Sequence, residues 1–280
     1  MRGGQWQVLY LLQGLAQRGI ECRLIAPATS PLATAARAAG FDVGLPRFGR
    51  PRTFDVVHAH DAHAHTRAIL MGESPIVSRR VAFPVKRTPW SRLKYHIPKH
   101  FLAVSQYVKG TLVQAGVPDE NVSVVYDGVN LPDRASAVSG PVIALDSDDP
   151  GKGKALVQEA SRLAGIPVRF SKTLQQDLPD ASLFVYITEL EGLGSAALLA
   201  MSHGVPVLAS RTGGLPEIVE PGVTGLLTPN DPAAIAERMR LLQDDRGLAL
   251  RVGRNGRAAV EQRFTVARMV DDTINVYRTC

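Results

Sequence analysis

Cysteine is scarce in this sequence, and long apolar runs are missing. Cys22 and Cys280 are the only two cysteines, which excludes a disulfide framework and indicates a reducing compartment. No stretch of about 18 consecutive apolar residues occurs, so no transmembrane helix is predicted. The first residues also lack the pattern of a secretory signal. We therefore expect a cytoplasmic protein with at most peripheral contact at the inner face of a membrane.

Acidic residues are absent from one long basic segment. Residues 79–100 contain seven Lys or Arg and no Asp or Glu, interleaved with Phe83, Trp90 and Tyr95, and the whole chain has a formal net charge of +6. A solvated surface, an anionic acceptor, an anionic membrane surface and a nucleic acid all fit this composition. Because no recognised nucleic-acid motif accompanies the segment, we expect no nucleic-acid partner.

Internal repeats and low-complexity runs are absent too, and 280 residues allow two domains with separate cores. Apolar runs typical of buried strands alternate with helical patterns, which indicates an α/β fold. Residues 131–140, rich in Pro, Ser and Ala, have the composition of a linker. The predicted domains are residues 1–133 and 141–280, with the last helix crossing back to the first domain.

A glycine loop between two apolar strands is the most informative stretch. Residues 183–187 predict a buried strand, 191–194 (Glu-Gly-Leu-Gly) a tight loop, 195–202 an apolar helix and 205–209 the next strand. Such a loop lies at the carboxyl end of a parallel strand, where open α/β sheets bind ligands. Glycines allow close approach of a ligand to the backbone, and the helix start favours phosphate or sugar hydroxyl groups.

The same stretch carries four motifs at fixed spacing. They are Glu191-Gly-Leu-Gly194, Leu199-Ala-Met201, Gly204-Val-Pro-Val-Leu-Ala-Ser210 and Gly213-Gly-Leu-Pro-Glu217. Together they resemble the donor-binding region of the family 4 (group 1) glycosyltransferases of the GT-B fold. The resemblance implies two Rossmann-like domains that face each other across a cleft. It also implies a retaining transfer of a sugar from a nucleotide-sugar donor to an envelope-type glycan or a lipid-linked acceptor.

The resemblance assigns roles to residues of the second domain. Glu191 is expected to be catalytic and to hold the donor sugar, and Lys152 to hold the donor diphosphate. The donor-binding residues implied are Lys152, Gly192, Leu193, Gly194, Gly213, Gly214 and Glu217. Two departures stand out: Leu199 replaces a second glutamate of the family, and the family's arginine before Lys152 is missing. Three acidic residues crowd that place instead: Asp146, Asp148 and Asp149.

The first domain is expected to form the acceptor side. Gly3 and Gly4 precede the first helix without the strand that this fold usually places before them, so the first strand is predicted to be missing. The resemblance places His60, at the end of a strand, on the acceptor side. Arg79 and Arg80 stand where many family members have a histidine that contacts the sugar. We predict an acceptor-side role for Arg79 and a catalytic role for Arg80, since arginine binds phosphate or carboxylate but cannot act as a general base.

Two alternative functions stay open. The departures also fit a binding protein of the same fold without turnover. The histidines at 58, 60, 63 and 65 suggest a metal-dependent hydrolase, but His58 and His60 share one face of a strand while His63 and His65 follow it. We therefore expect no metal site and no cofactor, the nucleotide-sugar being a substrate.

Overall fold

A computed structural model describes residues 1, 3–45, 54–86 and 88–280, and for Arg92 the backbone alone. Within these ranges the chain divides into two compact units, Met1–Gly128 with Val266–Cys280, and Val129–Thr265. Both units alternate short parallel strands with helices. The last helix of the chain belongs to the first unit, and the second unit begins before the predicted linker.

Unit 1 begins with a helix. In chain order its elements are α1 (Gly3–Gln17), β1 (Arg23–Ile25), α2 (Pro31–Ala38), β2 (Asp42–Gly44), β3 (His58–Ala59), α3 (Ala62–Leu70), β4 (Ile76–Arg79), α4 (Pro89–His96), β5 (His100–Ala103), α5 (Gln106–Gln114) and β6 (Val122–Val124). Strands β1 and β2 pair in parallel, and a separate parallel sheet has the order β3-β4-β5-β6. Among the described residues, no strand precedes α1 and none joins the two sheets.

Unit 2 contains one continuous sheet. Its elements are β7 (Val142–Leu145), α6 (Lys154–Ala164), β8 (Val168–Ser171), α7 (Leu174–Asp177), β9 (Leu183–Tyr186), α8 (Ser195–Ser202), β10 (Val207–Ser210), α9 (Leu215–Ile218), β11 (Leu226–Thr228), α10 (Pro232–Asp244) and α11 (Arg246–Arg263). The sheet is parallel with the order β11-β10-β9-β7-β8. Every residue of β9 and β10 is buried, as expected for strands covered by helices on both faces.

Helix α12 (Val266–Thr279) is the last element of the chain and belongs to unit 1. Helix α1 packs in two cores at once: Leu11 and Leu15 lie with α12 and the four-stranded sheet, whereas Val8 and Leu12 lie with β1 and α2. This helix therefore links the two sheets of unit 1. No helix in the described part of the chain is long and apolar enough to cross a membrane.

Candidate functional site

The strand order of unit 2 reverses between β7 and β9. From β7 the chain crosses to β8 on one side, and from β8 it returns to β9 on the other side. At such a reversal the connections leave in opposite directions and open a crevice at the carboxyl ends of the two strands. Lys152 follows β7 in the 3-10 turn Pro150–Lys152, and Glu191 follows β9. The fold thus brings together two predicted site residues that are far apart in sequence.

Lys152 and Glu191 form an ion pair at this crevice. The Lys152 Nζ lies 2.8 Å from Glu191 Oε2, and both side chains are partly exposed. The Tyr186 hydroxyl donates to the same Oε2 at 2.5 Å, and the Gly192 amide donates to Oε1 at 3.1 Å. Burial, and then the negative charge of Glu191, raise the pKa of Tyr186 well above its ordinary value, so the phenol keeps its proton.

A hydrogen-bond network fixes the loop after β9. The Thr188 amide donates to Ser210 Oγ, which donates to Asn230 Oδ1, and Asn230 Nδ2 returns to the Thr188 carbonyl, at 2.6–2.9 Å. The Glu189 amide donates to the Gly151 carbonyl at 2.8 Å. The loop is therefore held by the segment after β7, the last residue of β10 and the segment after β11, which preorganises the backbone around Glu191.

Two predicted donor-binding glycines pack against the backbone of this loop. A Cβ at Gly213 would lie 1.9 Å from the Glu191 carbonyl oxygen, and one at Gly214 would lie 2.1 Å from that of Gly192. The Gly214 amide also donates to the Glu191 carbonyl at 3.1 Å. Only glycine permits this approach of two backbones.

The other predicted donor-binding residues lie at different depths. Gly194 precedes α8 with φ +113°, a left-handed conformation suited to glycine, and Leu193 is fully buried in the unit. Leu199 on α8 and Glu217 on α9 are half-buried. The placement of Leu193 indicates a packing role for its side chain.

Two of the three acidic residues before Lys152, Asp146 and Asp149, are paired with other groups. Lys154 Nζ lies 2.5 Å from Asp146 Oδ1, and this hydrogen bond lowers the pKa of the Asp146 carboxyl. Lys172 lies 3.7 Å from the other Asp146 oxygen. Asp149 accepts the Gly151 amide at 3.0 Å. Compensation by lysines and amides reduces the repulsion that these carboxylates would exert on an anionic ligand.

Unit 1 brings together its predicted residues around Arg80. Its Nε lies 2.9 Å from Asp127 Oδ1, and its Nη1 donates to His60 Nδ1 at 3.3 Å. A Cβ at Gly4 would lie 3.9 Å from Arg80 Cδ, so the start of α1, beginning at Gly3, is next to this ion pair. Arg80, the predicted catalytic arginine, is therefore a largely buried partner of an aspartate that the sequence did not single out.

Arg79 points to a different place from Arg80. Its Nη1 donates to the Tyr95 hydroxyl at 2.8 Å, and its Nη2 donates to the Phe83 carbonyl. Burial lowers the pKa of the Arg79 guanidinium. These contacts hold α4 and the segment before it against β4.

The histidines do not converge on one point. His58 Nδ1 lies 2.6 Å from the Tyr277 hydroxyl and Nε2 2.8 Å from Ser78 Oγ, whereas His65 Nε2 faces the Lys94 carbonyl at 3.1 Å. Burial lowers the pKa of His58 to about 3 and that of His65 to about 4. Within the described residues, no group of three or more His, Cys, Asp or Glu is arranged to hold a metal ion.

Three site residues escaped the sequence analysis: Tyr186, Asp127 and Tyr277. Tyr186 is the last residue of β9. A residue with a polar hydroxyl at the end of an apolar strand, close to a glycine loop, could have been recognised as a candidate. Asp127 follows β6, and nothing in the local pattern indicates a partner 47 positions away. Tyr277 lies on α12 with no local signal at all.

Comparison with protein families gives two matches that together cover most of the chain. A profile described as "Glycosyltransferase Family 4" matches residues 1–132, and one described as "Glycosyl transferases group 1" matches residues 139–245. The boundary between the two matches lies within the predicted linker.

Curated relatives match over part of their length. D-inositol 3-phosphate glycosyltransferase of Streptomyces avermitilis is 37% identical over 137 residues, 45% of this chain and 30% of that protein. Alpha-maltose-1-phosphate synthase of Mycobacterium tuberculosis is 36% identical over 112 residues, 38% of this chain and 29% of that protein. The matched region thus spans about 30% of these relatives.

Solved structures match nearly end to end. HepE of Anabaena in complex with UDP and glucose has a TM-score of 0.82 at 16% identity, covering 100% of this chain and 96% of that one. The lipopolysaccharide outer core galactosyltransferase WaaB has a TM-score of 0.72 at 15% identity, covering 100% and 97%. At these identities the likeness establishes the fold, and it confirms the predicted GT-B class.

Proposed function

This chain belongs to the family 4 (group 1) glycosyltransferases, and on that basis we propose that it transfers a sugar from a nucleotide-sugar donor to an acceptor hydroxyl. The observation that carries the proposal is the Lys152–Glu191 pair at the strand-order reversal of unit 2, beside a glycine loop that opens α8. An ammonium group and the amides at a helix N-terminus suit a diphosphate, and a carboxylate suits sugar hydroxyl groups.

The proposed reaction retains the configuration of the sugar. The bond between the sugar C1 and the diphosphate oxygen breaks, and its electron pair leaves with the nucleoside diphosphate. The acceptor oxygen bonds to C1 on the same face, and its proton passes to the departing phosphate oxygen. Lys152 stabilises the charge that develops on this phosphate, while the fixed loop at Glu191 orients the sugar. We propose that no cofactor takes part.

The relatives support this class of reaction. Their names include a glycosyltransferase that acts on inositol 3-phosphate, and the HepE structures were solved with UDP, with UDP and glucose, and with UDP-glucose. A nucleoside-diphosphate sugar is therefore the donor class to test first.

A donor panel with matched lysine variants tests the proposal. Purified protein is incubated with UDP-, GDP- and ADP-sugars, and release of the nucleoside diphosphate is measured. Binding of each donor is measured separately by calorimetry. Lys152→Ala is expected to weaken binding of the active donor roughly 10–100-fold, because a hydrogen bond to a charged group is lost. Lys109→Ala is the control, since that lysine is similarly exposed but is paired with Asp119 in unit 1.

Other outcomes separate the alternatives. Turnover that survives Glu191→Ala would contradict the assigned site. Donor binding without release or transfer, in the presence of candidate acceptors, would favour the non-catalytic binding protein.

We further propose that the acceptor is an envelope-type glycan or lipid-linked molecule, reached at the cytoplasmic face of an anionic membrane. The basic segment, residues 79–100, exposes Val81, Phe83, Trp90 and Leu93, and no described residue of α4 is buried. Exposed aromatic and apolar groups next to lysines, without any acidic residue, are complementary to anionic lipid headgroups.

Vesicle sedimentation tests this contact. Binding to vesicles of phosphatidylcholine with phosphatidylglycerol should exceed binding to phosphatidylcholine alone and should fall with added salt. Leu93→Ser should weaken it severalfold, whereas Leu241→Ser, which alters an exposed leucine on α10 of unit 2, should not. Equal effects of the two variants would contradict the assignment of this surface.

A further inference from the structure

Three donors share the carboxylate of Glu191. Lys152 and Tyr186 both reach Oε2, at 2.8 and 2.5 Å, and the Gly192 amide reaches Oε1. The Lys152 ammonium also lies 5.9 Å from the centre of the Tyr186 ring. We call Lys152, Glu191 and Tyr186 the polar triad. Neither the sequence motifs nor the relatives assign any role to Tyr186.

The two side-chain donors of the triad differ in freedom. Tyr186 is 4% exposed, belongs to β9 and stacks on Phe184 with ring centres 5.7 Å apart. The Lys152 side chain is 26% exposed and stands on a 3-10 turn, with four rotatable bonds. The ammonium can therefore leave the carboxylate, whereas the phenol cannot follow it.

We propose that Tyr186 is a positioning residue for the donor: it holds the Glu191 carboxylate when Lys152 moves from Glu191 to the anionic group of an incoming nucleoside diphosphate. This inference rests on the proposed function. In the ligand-free protein the Lys152–Glu191 pair competes with the ligand for the ammonium. The Glu191 side chain is only 17% exposed, so losing Lys152 without another side-chain donor would leave a poorly solvated charge. Tyr186 removes most of that cost.

A double-mutant cycle measured by ligand binding tests the exchange. Tyr186→Phe keeps the ring and removes the hydroxyl, and Lys152→Met removes the ammonium. Dissociation constants for UDP, GDP and ADP are measured by calorimetry or, for weak binding, by NMR titration. Tyr186→Phe should raise the dissociation constant about tenfold in the wild-type background, since one hydrogen bond to a charge is lost on exchange. It should have little effect beside Lys152→Met, where no ammonium leaves Glu191.

The kinetic signature is equally specific. Because the exchange accompanies donor binding, Tyr186→Phe should raise KM more than it lowers kcat. Tyr10→Phe on α1 of unit 1 is the matched control and should change neither. Equal losses from Tyr186→Phe in both backgrounds would mean that the hydroxyl only supports the fold, and this would overturn the proposal.

Unfolding of the ligand-free protein gives a second, independent readout. If Lys152 and Tyr186 can each substitute for the other at Glu191, the double variant should lose more stability than the two single losses combined. Additive losses would also overturn the proposal. Failure of wild-type protein to bind any of the three nucleotides contradicts the proposed function itself, whereas binding with additive effects contradicts only the role of Tyr186.

Discussion

The two units place their charged groups differently. In unit 2 the pairs Lys152–Glu191 and Lys154–Asp146 stand after strand ends and keep part of their surface in solvent. In unit 1 the Arg80–Asp127 pair is almost enclosed, with Asp127 only 5% exposed. At the predicted site residues, the same α/β plan thus gives unit 2 an ion pair with both partners partly exposed, and unit 1 an ion pair whose aspartate is buried.

The sheets differ in the same sense. Unit 2 has five strands in one sheet, and its predicted site residues Lys152 and Glu191 follow the two strands at the single reversal of strand order. The described strands of unit 1 form separate sheets of two and four, joined through α1. We infer that unit 1 depends more on buried polar contacts, and unit 2 more on close backbone packing around its loop. Each of the following experiments can contradict that contrast.

Removing Asp127 should have the largest effect on unit 1. Asp127→Ala leaves the Arg80 guanidinium buried beside His60, and breaking a buried pair costs about 3–5 kcal/mol of unfolding free energy. Urea unfolding followed by tryptophan fluorescence measures this directly, because both tryptophans, Trp6 and Trp90, lie in unit 1.

The control lies in the same unit. Asp42→Ala removes the partner of Arg23 from an exposed pair and should cost less than about 1 kcal/mol. Similar losses for the two variants would show that enclosure of the Arg80 pair has no energetic consequence.

Acid should destabilise unit 1 more than unit 2. The folded-state pKa of His58 is lowered to about 3, and that of His60 lies well below its ordinary value, in both cases mainly through burial. Between about pH 6.5 and 4 the unfolded chain gains protons at these histidines while the folded chain does not. The unfolding free energy should therefore fall with decreasing pH, by up to about 1.4 kcal/mol per pH unit for each histidine.

His58→Gln tests the sign and the site of this dependence. It should make the fall in stability between pH 6.5 and 4 shallower by up to about 1.4 kcal/mol per pH unit, measured by tryptophan fluorescence. Unit 2 contains one histidine, His203, whose pKa burial also lowers, so unit 2 should lose less stability in this range than unit 1 with its several histidines. The carboxyl pKa values that are lowered in unit 2, as at Asp146 and Asp177, act only near and below about pH 4. An unchanged slope in the variant would contradict the prediction.

Local sequence signals predicted the position of the glycine loop in unit 2. The loop from Glu191 to Gly194 lies between a strand and a helix that are adjacent in the chain, so its position follows from hydrophobic pattern and glycine spacing. Lys152 could be placed because it precedes a helix after a strand. Tyr186 was missed because an apolar run predicts only that a strand is buried. The run does not show that the hydroxyl of its last residue contacts Glu191 in the following loop.

The side-chain contacts of unit 1 could not be predicted because they join residues that are distant in sequence. Arg80 and Asp127 are 47 positions apart, and His58 and Tyr277 are 219 apart. The sequence around each of these residues gives no indication of its partner. The strands are also short, two residues in β3, so that tertiary contacts determine them more than propensity does. Helix α4 buries none of its described residues, so the basic segment has no apolar period that would predict it.

Adding one methyl group should distinguish the packing of the two units. Gly214→Ala in unit 2 places a Cβ 2.1 Å from the Gly192 carbonyl oxygen and should cost about 1–3 kcal/mol, with weaker donor binding because the loop at Glu191 must shift. Gly110→Ala, within α5 of unit 1, meets no atom within 4 Å and should be neutral or stabilise by up to about 1 kcal/mol. Unfolding followed by circular dichroism measures both. A neutral Gly214→Ala would contradict the packing role of this glycine.

Replacing a helix cap should give the smallest effect on stability. It also shows whether the two units unfold separately. Ser30 accepts the Ala33 amide at the start of α2 in unit 1, and Asp231 accepts the Ala234 amide at the start of α10 in unit 2. Replacing either by alanine should cost about 1 kcal/mol. Because the buried cores of the two units contain different residues, we expect Asp231→Ala to lower the circular dichroism midpoint and leave the tryptophan midpoint unchanged. Ser30→Ala should lower the tryptophan midpoint. If Asp231→Ala lowers both midpoints equally, the units unfold as one cooperative structure, and the losses predicted above for each unit belong to the whole chain.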